Sequence, residues 1–357
     1  MTGLVVIVAA TGALGVLLAK RVVNATARPK LLRVGFAGQE VALPESAKTA
    51  AAGEYLLQID EDPSSVLRVG EVLRVVDGKV YRALVGAAER SGDAGGYWSA
   101  HGYSSPGEIG SFESVSVPVA DGETREAWLF PGDPARWVIH VQGIRTSRGV
   151  TLRTVAIAHE AGATSLTITY RGSGDGPPSR AATLGAREWT ELQDAIAYAR
   201  SQGARRVTVV AWSMGAALML ELLKHDPRAV DDLVLMCPVS SWPETIEYGA
   251  LQAGLPRQAA GLAALLMRTR LGAKVLGLPE PVDVRRLDWT YPGSLPVPTL
   301  VIHSQGDEVV PWNSTMKLVA SNPATVTFVE TVACPHGFEL TVPDPEARSR
   351  LLKWLIN

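Results

Sequence analysis

Cysteine is nearly absent from this chain. Cys237 and Cys334 are the only two in 357 residues, too few for a disulfide framework and without the C-x-x-C spacing of a zinc site. Charge is sparse and balanced: charged residues make up 20% and the formal net charge is -2. With no long basic run, that balance argues against nucleic acid as a partner. There are only six histidines, so any chemistry that needs an imidazole has few candidates. Internal repeats and low-complexity tracts are missing too, which excludes a solenoid or a disordered linker. What remains is an apolar fraction of 46%, ordinary for a globular protein with room for a large core.

The first segment, MTGLVVIVAATGALGVLLAKRVV, carries no charged side chain before Lys20. About 20 helical residues cross the hydrocarbon core of a bilayer, so residues 1–30 are expected to form a membrane anchor. Cations follow at Lys20, Arg21, Arg28, Lys30 and Arg33, which places the bulk of the chain on the cytoplasmic side by the positive-inside rule. Two other readings stay open. Ala25-Thr26-Ala27 imitates a signal-peptide cleavage site, though a basic n-region is missing. TGALG imitates a dinucleotide fingerprint, with Ala9 where the first glycine belongs and no acidic strand end at the expected distance.

Residues 31–113 are rich in short strand signals. EVLRVVDGKVYRALV alternates about Asp77-Gly78, a two-residue hairpin turn, and predicts a small β subdomain. His101 in this stretch reads as a plain loop histidine. A second hairpin turns at Asp121-Gly122, and from there the rhythm changes: residues 114–357 alternate apolar strands (137–143, 165–170, 206–212, 232–237, 298–304, 325–330) with amphipathic helices. That alternation predicts an α/β fold, a mostly parallel sheet covered by helices on both faces. Between about 240 and 295 it is interrupted by apolar helices, a helical insertion expected to cap the pocket with Trp242, Tyr248, Leu265, Leu266, Met267 and Trp289.

In such a sheet ligands bind beyond the carboxyl ends of the strands. VTVVAWSMGAALML (207–220) places Ser213 at a sharp break between strand and helix, where the backbone needs small neighbours two residues away. Gly215 meets that need, and Ala211 adds one methyl to the usual G-x-S-x-G. A serine hydroxyl is a poor nucleophile until a base takes its proton. His225 lies about 18 Å further along the same helix, His140 and His303 sit inside apolar strands, and His159 faces out of a helix. His336, in the loop ACPHGF after the last strand, is the remaining candidate. A carboxylate must orient it, and SQGDEVVPW offers Asp307 first, with Glu308 as the alternative. The oxyanion of acyl transfer needs two amides: Met214, after the nucleophile, and Ile144, after the turn at Gly143.

The order serine, acid, histidine, each after a strand, is that of the α/β hydrolases. From about residue 60 the chain resembles the serine α/β hydrolases, and more narrowly their actinobacterial members. WVIHVQGIRTSRGVTLR, SLTITYRGSGD, EWTELQDAIAYA, VVAWSMGAA, GDEVVP and the late His336 carry the likeness. The resemblance implies an esterase- or lipase-like enzyme with no metal or organic cofactor, acting through Ser213, Asp307 and His336 on a small-molecule or lipid ester. A membrane-tethered binding module with the same fold, or an amide or thioester hydrolase, is the alternative.

Overall fold

In this computed structural model, residues 2–24, 31–60, 65–179 and 181–357 are described, with side chains from residue 13 onward. The chain runs α1 (Thr2–Val23), β1 (Leu31–Gly38), β2 (Glu40–Pro44), α2 (Ala47–Ala50), β3 (Tyr55–Ile59), β4 (Val66–Val76), β5 (Lys79–Val85) and β6 (Arg90–Ser99). It continues with β7 (Glu113–Pro118), β8 (Thr124–Phe130), β9 (Asp133–Val141), α3 (Leu152–Glu160), β10 (Ala163–Ile168), α4 (Trp189–Ser201), β11 (Arg206–Trp212), α5 (Met214–His225) and β12 (Asp232–Met236). The helices α6 (Trp242–Gln252), α7 (Arg257–Arg268) and α8 (Arg270–Leu276) come next, then β13 (Thr299–His303), α9 (Trp312–Ser321), β14 (Val326–Glu330) and α10 (Pro345–Ile356).

The first β unit is a closed barrel in the order β1-β2-β5-β4-β3-β6. Its alternating strands turn Val34, Phe36, Val41, Leu43, Leu57 and Val69 inward, and closure removes the exposed strand edges a small sheet would present. At the expected hairpin, Asp77 and Gly78 both take positive φ, 50° and 68°, the geometry of a two-residue turn matched to strand twist. The barrel ends at Ser99, earlier than the run of strand signals, because Glu113–Pro118 pairs with β8 in the second sheet.

That second sheet has eight strands in the order β14-β13-β12-β11-β9-β10-β8-β7. From β14 through β10 every pairing is parallel, and β8 and β7 add antiparallel strands at one edge. β10, β11, β12 and β13 are buried along almost all of their lengths, as strands covered on both faces must be. The expected α/β-hydrolase architecture is therefore the one observed.

The helical insertion stands where the sequence places it, and its residues are not among those that line the cavity beside Ser213. Trp242, Met267 and Trp289 are buried in the main core with Leu218, Leu222 and Leu235; the Trp242 indole donates to Leu184 O at 2.7 Å. Apolar composition told that these helices bury a face, not which one. The expected membrane-spanning anchor falls partly on residues 25–30 and on side chains 1–12, outside the described residues. Within the described part of α1, Leu18, Ala19 and Val23 are buried in protein. Among the described residues no helix is long and apolar enough to cross a membrane.

Candidate active site

Ser213 lies between β11 and α5 with φ 52° and ψ -115°, a conformation that costs a residue with a Cβ about 1–3 kcal/mol and persists only when its surroundings impose it. They do: Ser213 N donates to Met236 O at 2.9 Å, and Ser213 O accepts from Val239 N at 3.1 Å. Gly215 is required by close approach, since a Cβ there would stand 2.7 Å from Val141 O. Ala211 is fully buried and accommodated. The Met214 amide is the first of α5 and has no carbonyl a turn below it; with the helix dipole it favours negative charge beside the serine.

His336 and Asp307 come from loops after β14 and β13, and Ser304 ties those loops together. Its hydroxyl accepts from Cys334 N at 2.8 Å and donates to Cys334 O at 3.0 Å. The result is a continuous relay. Asp307 Oδ2 lies 2.6 Å from His336 Nδ1, and His336 Nε2 lies 2.9 Å from Ser213 Oγ. An ionised carboxylate only accepts, so Nδ1 carries the proton and Nε2 presents its lone pair to the serine hydroxyl.

Asp307 is saturated with donors. Oδ1 accepts from the amides of Val309 and Val310 at 2.7 and 2.8 Å, and Oδ2 accepts from His303 Nε2 at 2.9 Å as well as from His336. Burial opposes its ionisation, but the charge of His336 and the two histidine hydrogen bonds outweigh burial and hold the carboxyl well below the usual range. For His336, burial opposes protonation and Asp307 overcomes it, raising the imidazole above its ordinary value. Behind them is Glu339, fully buried, with neither carboxyl oxygen hydrogen-bonded. Burial raises its pKa, and the neighbouring Asp307 carboxylate pushes it the same way.

Glu308 has a different place. It accepts from the His336 backbone amide at 2.9 Å and pairs with Lys48 at 3.0 Å, so it holds the loop and leaves the ring to Asp307. Ile144 follows Gly143, whose carbonyl accepts from Tyr170 Oη at 2.7 Å and Thr146 Oγ1 at 2.9 Å. A trans peptide is planar, so pinning that carbonyl points the Ile144 N–H the opposite way. Two groups of donor atoms lie within 4.8 Å of one another, Cys237 with Asp307 and His336, and His303 with Asp307 and Glu339. Both include Asp307, so a cation at either would compete with His336 for its carboxylate.

The serine opens onto a cavity of about 790 Å³, a size suited to a small organic ligand. Its lining joins Ile144, Val150, Trp212 and Val309 with Trp98, Ser99, Ala100 and His101, which lie at and just past the end of the barrel. His101 is thus a cavity residue and not a plain loop histidine; burial, with Arg153 nearby, lowers its pKa to about 4. The barrel also grips the histidine loop. Tyr55 stacks on Trp98 at 4.7 Å and meets Phe338 at 5.5 Å, and a Cβ on Gly53 would strike Thr341 O at 2.3 Å. From the other side Arg153 donates to Gly337 O, Glu339 O and Thr341 Oγ1 at 2.7–3.0 Å, with its guanidinium 4.4 Å above the Trp212 ring.

Sequence reasoning missed two features here. His303 read as a core histidine, although its position four residues before Asp307 at a strand end was a usable signal. Trp98 to His101 gave none, because the contact is made across the fold. Two other histidines are structural: His140 is bonded to Thr154 and Ser165, and His225 stacks on Trp189 at 4.3 Å.

Residues 129–348 match the sequence profile of the alpha/beta hydrolase family. No curated protein matches the chain. Among solved structures, an esterase from Pyrococcus furiosus superposes with a TM-score of 0.54 at 19% identity, over 71% of this chain and 96% of that one. A membrane phospholipase A described as a bacterial virulence factor superposes with a TM-score of 0.50 at 15% identity, over 71% and 89%. At these identities the likeness is one of fold.

Proposed function

Since the chain belongs to the alpha/beta hydrolase family, we propose that it is a serine hydrolase cleaving a carboxylic ester through an acyl-enzyme on Ser213. The observation that carries this reading is the relay of Ser213 Oγ, His336 and Asp307 at 2.9 and 2.6 Å, opening on a cavity. Ser213 Oγ attacks the ester carbonyl while His336 Nε2 takes its proton, and Asp307 holds the tautomer and stabilises the imidazolium. The Met214 and Ile144 amides receive the oxyanion, each worth about 3 kcal/mol of barrier. His336 then protonates the leaving alcohol, and water repeats the sequence on the acyl-enzyme.

The apolar walls, Ile144, Val150, Trp98, Trp212 and Phe338, favour an apolar acyl group. The uncharged run of α1, followed by Lys20 and Arg21, supports a tether to the membrane surface. The test is a fluorophosphonate probe with a series of acyl esters of graded chain length. Covalent labelling that disappears in Ser213→Ala, with turnover of medium-chain esters, is the expected result. An unlabelled wild-type protein would make the fold a binding module, and turnover confined to amides or thioesters would change the substrate class.

A further inference from the structure

α1, α7 and α8 form one packed group. Gly15 of α1 lies so close to α7 that a Cβ would meet Leu262 at 2.7 Å, and Asn24, after α1, donates from Nδ2 to Leu276 O of α8 at 3.3 Å. The group carries six cations, Lys20, Arg21, Arg257, Arg268, Arg270 and Lys274, and no acidic residue. Only Arg257 makes an ion pair among the described residues, with Glu247 at 2.9 Å. On the same three helices large apolar side chains face solvent: Leu271 is 75% exposed, Leu17 62%, and Val275 and Leu265 about half.

Exposed leucine and valine among cations that, Arg257 apart, make no ion pair among the described residues is a combination a protein core does not need, and one that suits the boundary between anionic headgroups and acyl chains. We infer that the exposed face of α1, α7 and α8 docks on an anionic phospholipid bilayer, with Leu271 and Val275 entering the acyl boundary and Arg270 and Lys274 meeting phosphates. The inference rests on the reading above for the substrate it delivers, because the docking group ends at the cavity. Val23 O, at the close of α1, accepts from Arg145 Nη2 at 3.2 Å and from Ala182 N at 2.9 Å, and Arg145 lines the cavity with Ser213. Arg145 thus joins the close of α1 to the cavity wall.

This differs from tethering by the first turns of α1 alone, and the experiment must separate the two. Both native cysteines are buried, so Leu271→Cys in the full chain can be labelled with an environment-sensitive nitrobenzoxadiazole dye, with Lys353→Cys on α10 as the distant control. Vesicles of phosphatidylglycerol and phosphatidylcholine are expected to shift the residue-271 dye to the blue and leave the control unchanged. The shift should weaken at least tenfold in apparent vesicle affinity in Arg270→Glu/Lys274→Glu and in high salt. Hydrolysis of a short water-soluble ester by that double variant should stay at the wild-type level, so a failure of docking is distinct from a failure of catalysis. Three results would overturn the inference: a dye that stays in water while the protein floats with vesicles, binding indifferent to charge reversal, or a dye already buried without lipid in a dimer.

Discussion

His303 and His336 bind the same oxygen of one carboxylate, Asp307 Oδ2, at 2.9 and 2.6 Å. Only His336 reaches the serine. His303 spends its one described hydrogen bond on Asp307, and its Nδ1 is left without a partner. The carboxylate charge is therefore divided between two N–H donors, and His303 limits how much of it His336 feels.

Removing that donor should change the base without touching it. In His303→Phe, Oδ2 gives its whole acceptor strength to His336 and raises its pKa further. The acid limb of kcat/KM is expected to move to higher pH, and kcat to fall about three- to tenfold. A pH–rate profile of the variant against the wild type measures this; an unmoved limb would reduce His303 to its ring contact with Trp312, 5.5 Å between centroids.

The wild-type profile itself has a definite sign. His336 must be neutral to accept the serine proton, and Asp307 raises its pKa above the ordinary 6.5. Activity should be lost as pH falls, with the half-point above 6.5. Asp307 remains ionised across that range because its own pKa is depressed. A half-point below 6 would mean that burial, not Asp307, governs the imidazole.

Asp307 and Glu308 are adjacent carboxylates with unequal consequences. Asp307→Asn keeps the shape but presents an amide where the Nδ1 proton needs an acceptor, and kcat should fall about 10⁴-fold. Glu308→Gln loses a loop anchor and the Lys48 pair, a loss expected to stay under about tenfold. Single-turnover kinetics of both variants on one ester would show the ordering.

Trp98 offers a test of the barrel as a cavity wall. Trp98→Ala should open the pocket and shift preference toward bulkier acyl groups by about tenfold in relative kcat/KM. Small esters should be turned over nearly as before. Thermal melting reports whether the Tyr55 stack is lost at the same time. A specificity profile unchanged across the acyl series would remove the barrel from the substrate site.

Sequence showed the catalytic half of this molecule more clearly than the other half, for physical reasons. β10 to β13 are covered on both faces and so read as uninterrupted apolar runs, and Ser213, Asp307 and His336 each follow a strand whose end is predictable from that pattern. The structure brings the three side chains into contact. Trp242, Met267 and Trp289 were equally visible as apolar residues, yet a helix can bury its stripe against a sheet or over a pocket, and composition is the same in both. Tyr55 and Gly53 act on a loop near residue 338 and Lys48 on Glu308, and nothing local to residues 48–55 announces partners so far along the chain.

That distance has a consequence for how the enzyme matures. The barrel is complete by Ser99, whereas the loop it clasps, Cys334 to Val342, is synthesised far later in the chain. N-terminal units generally fold first during synthesis, so the nascent barrel waits as a finished mould. Until that loop is made and Phe338 settles against Tyr55, Ser213 stands without His336 beside it. The proposed nucleophile and base would then meet only after the barrel has been waiting for most of the chain to be built.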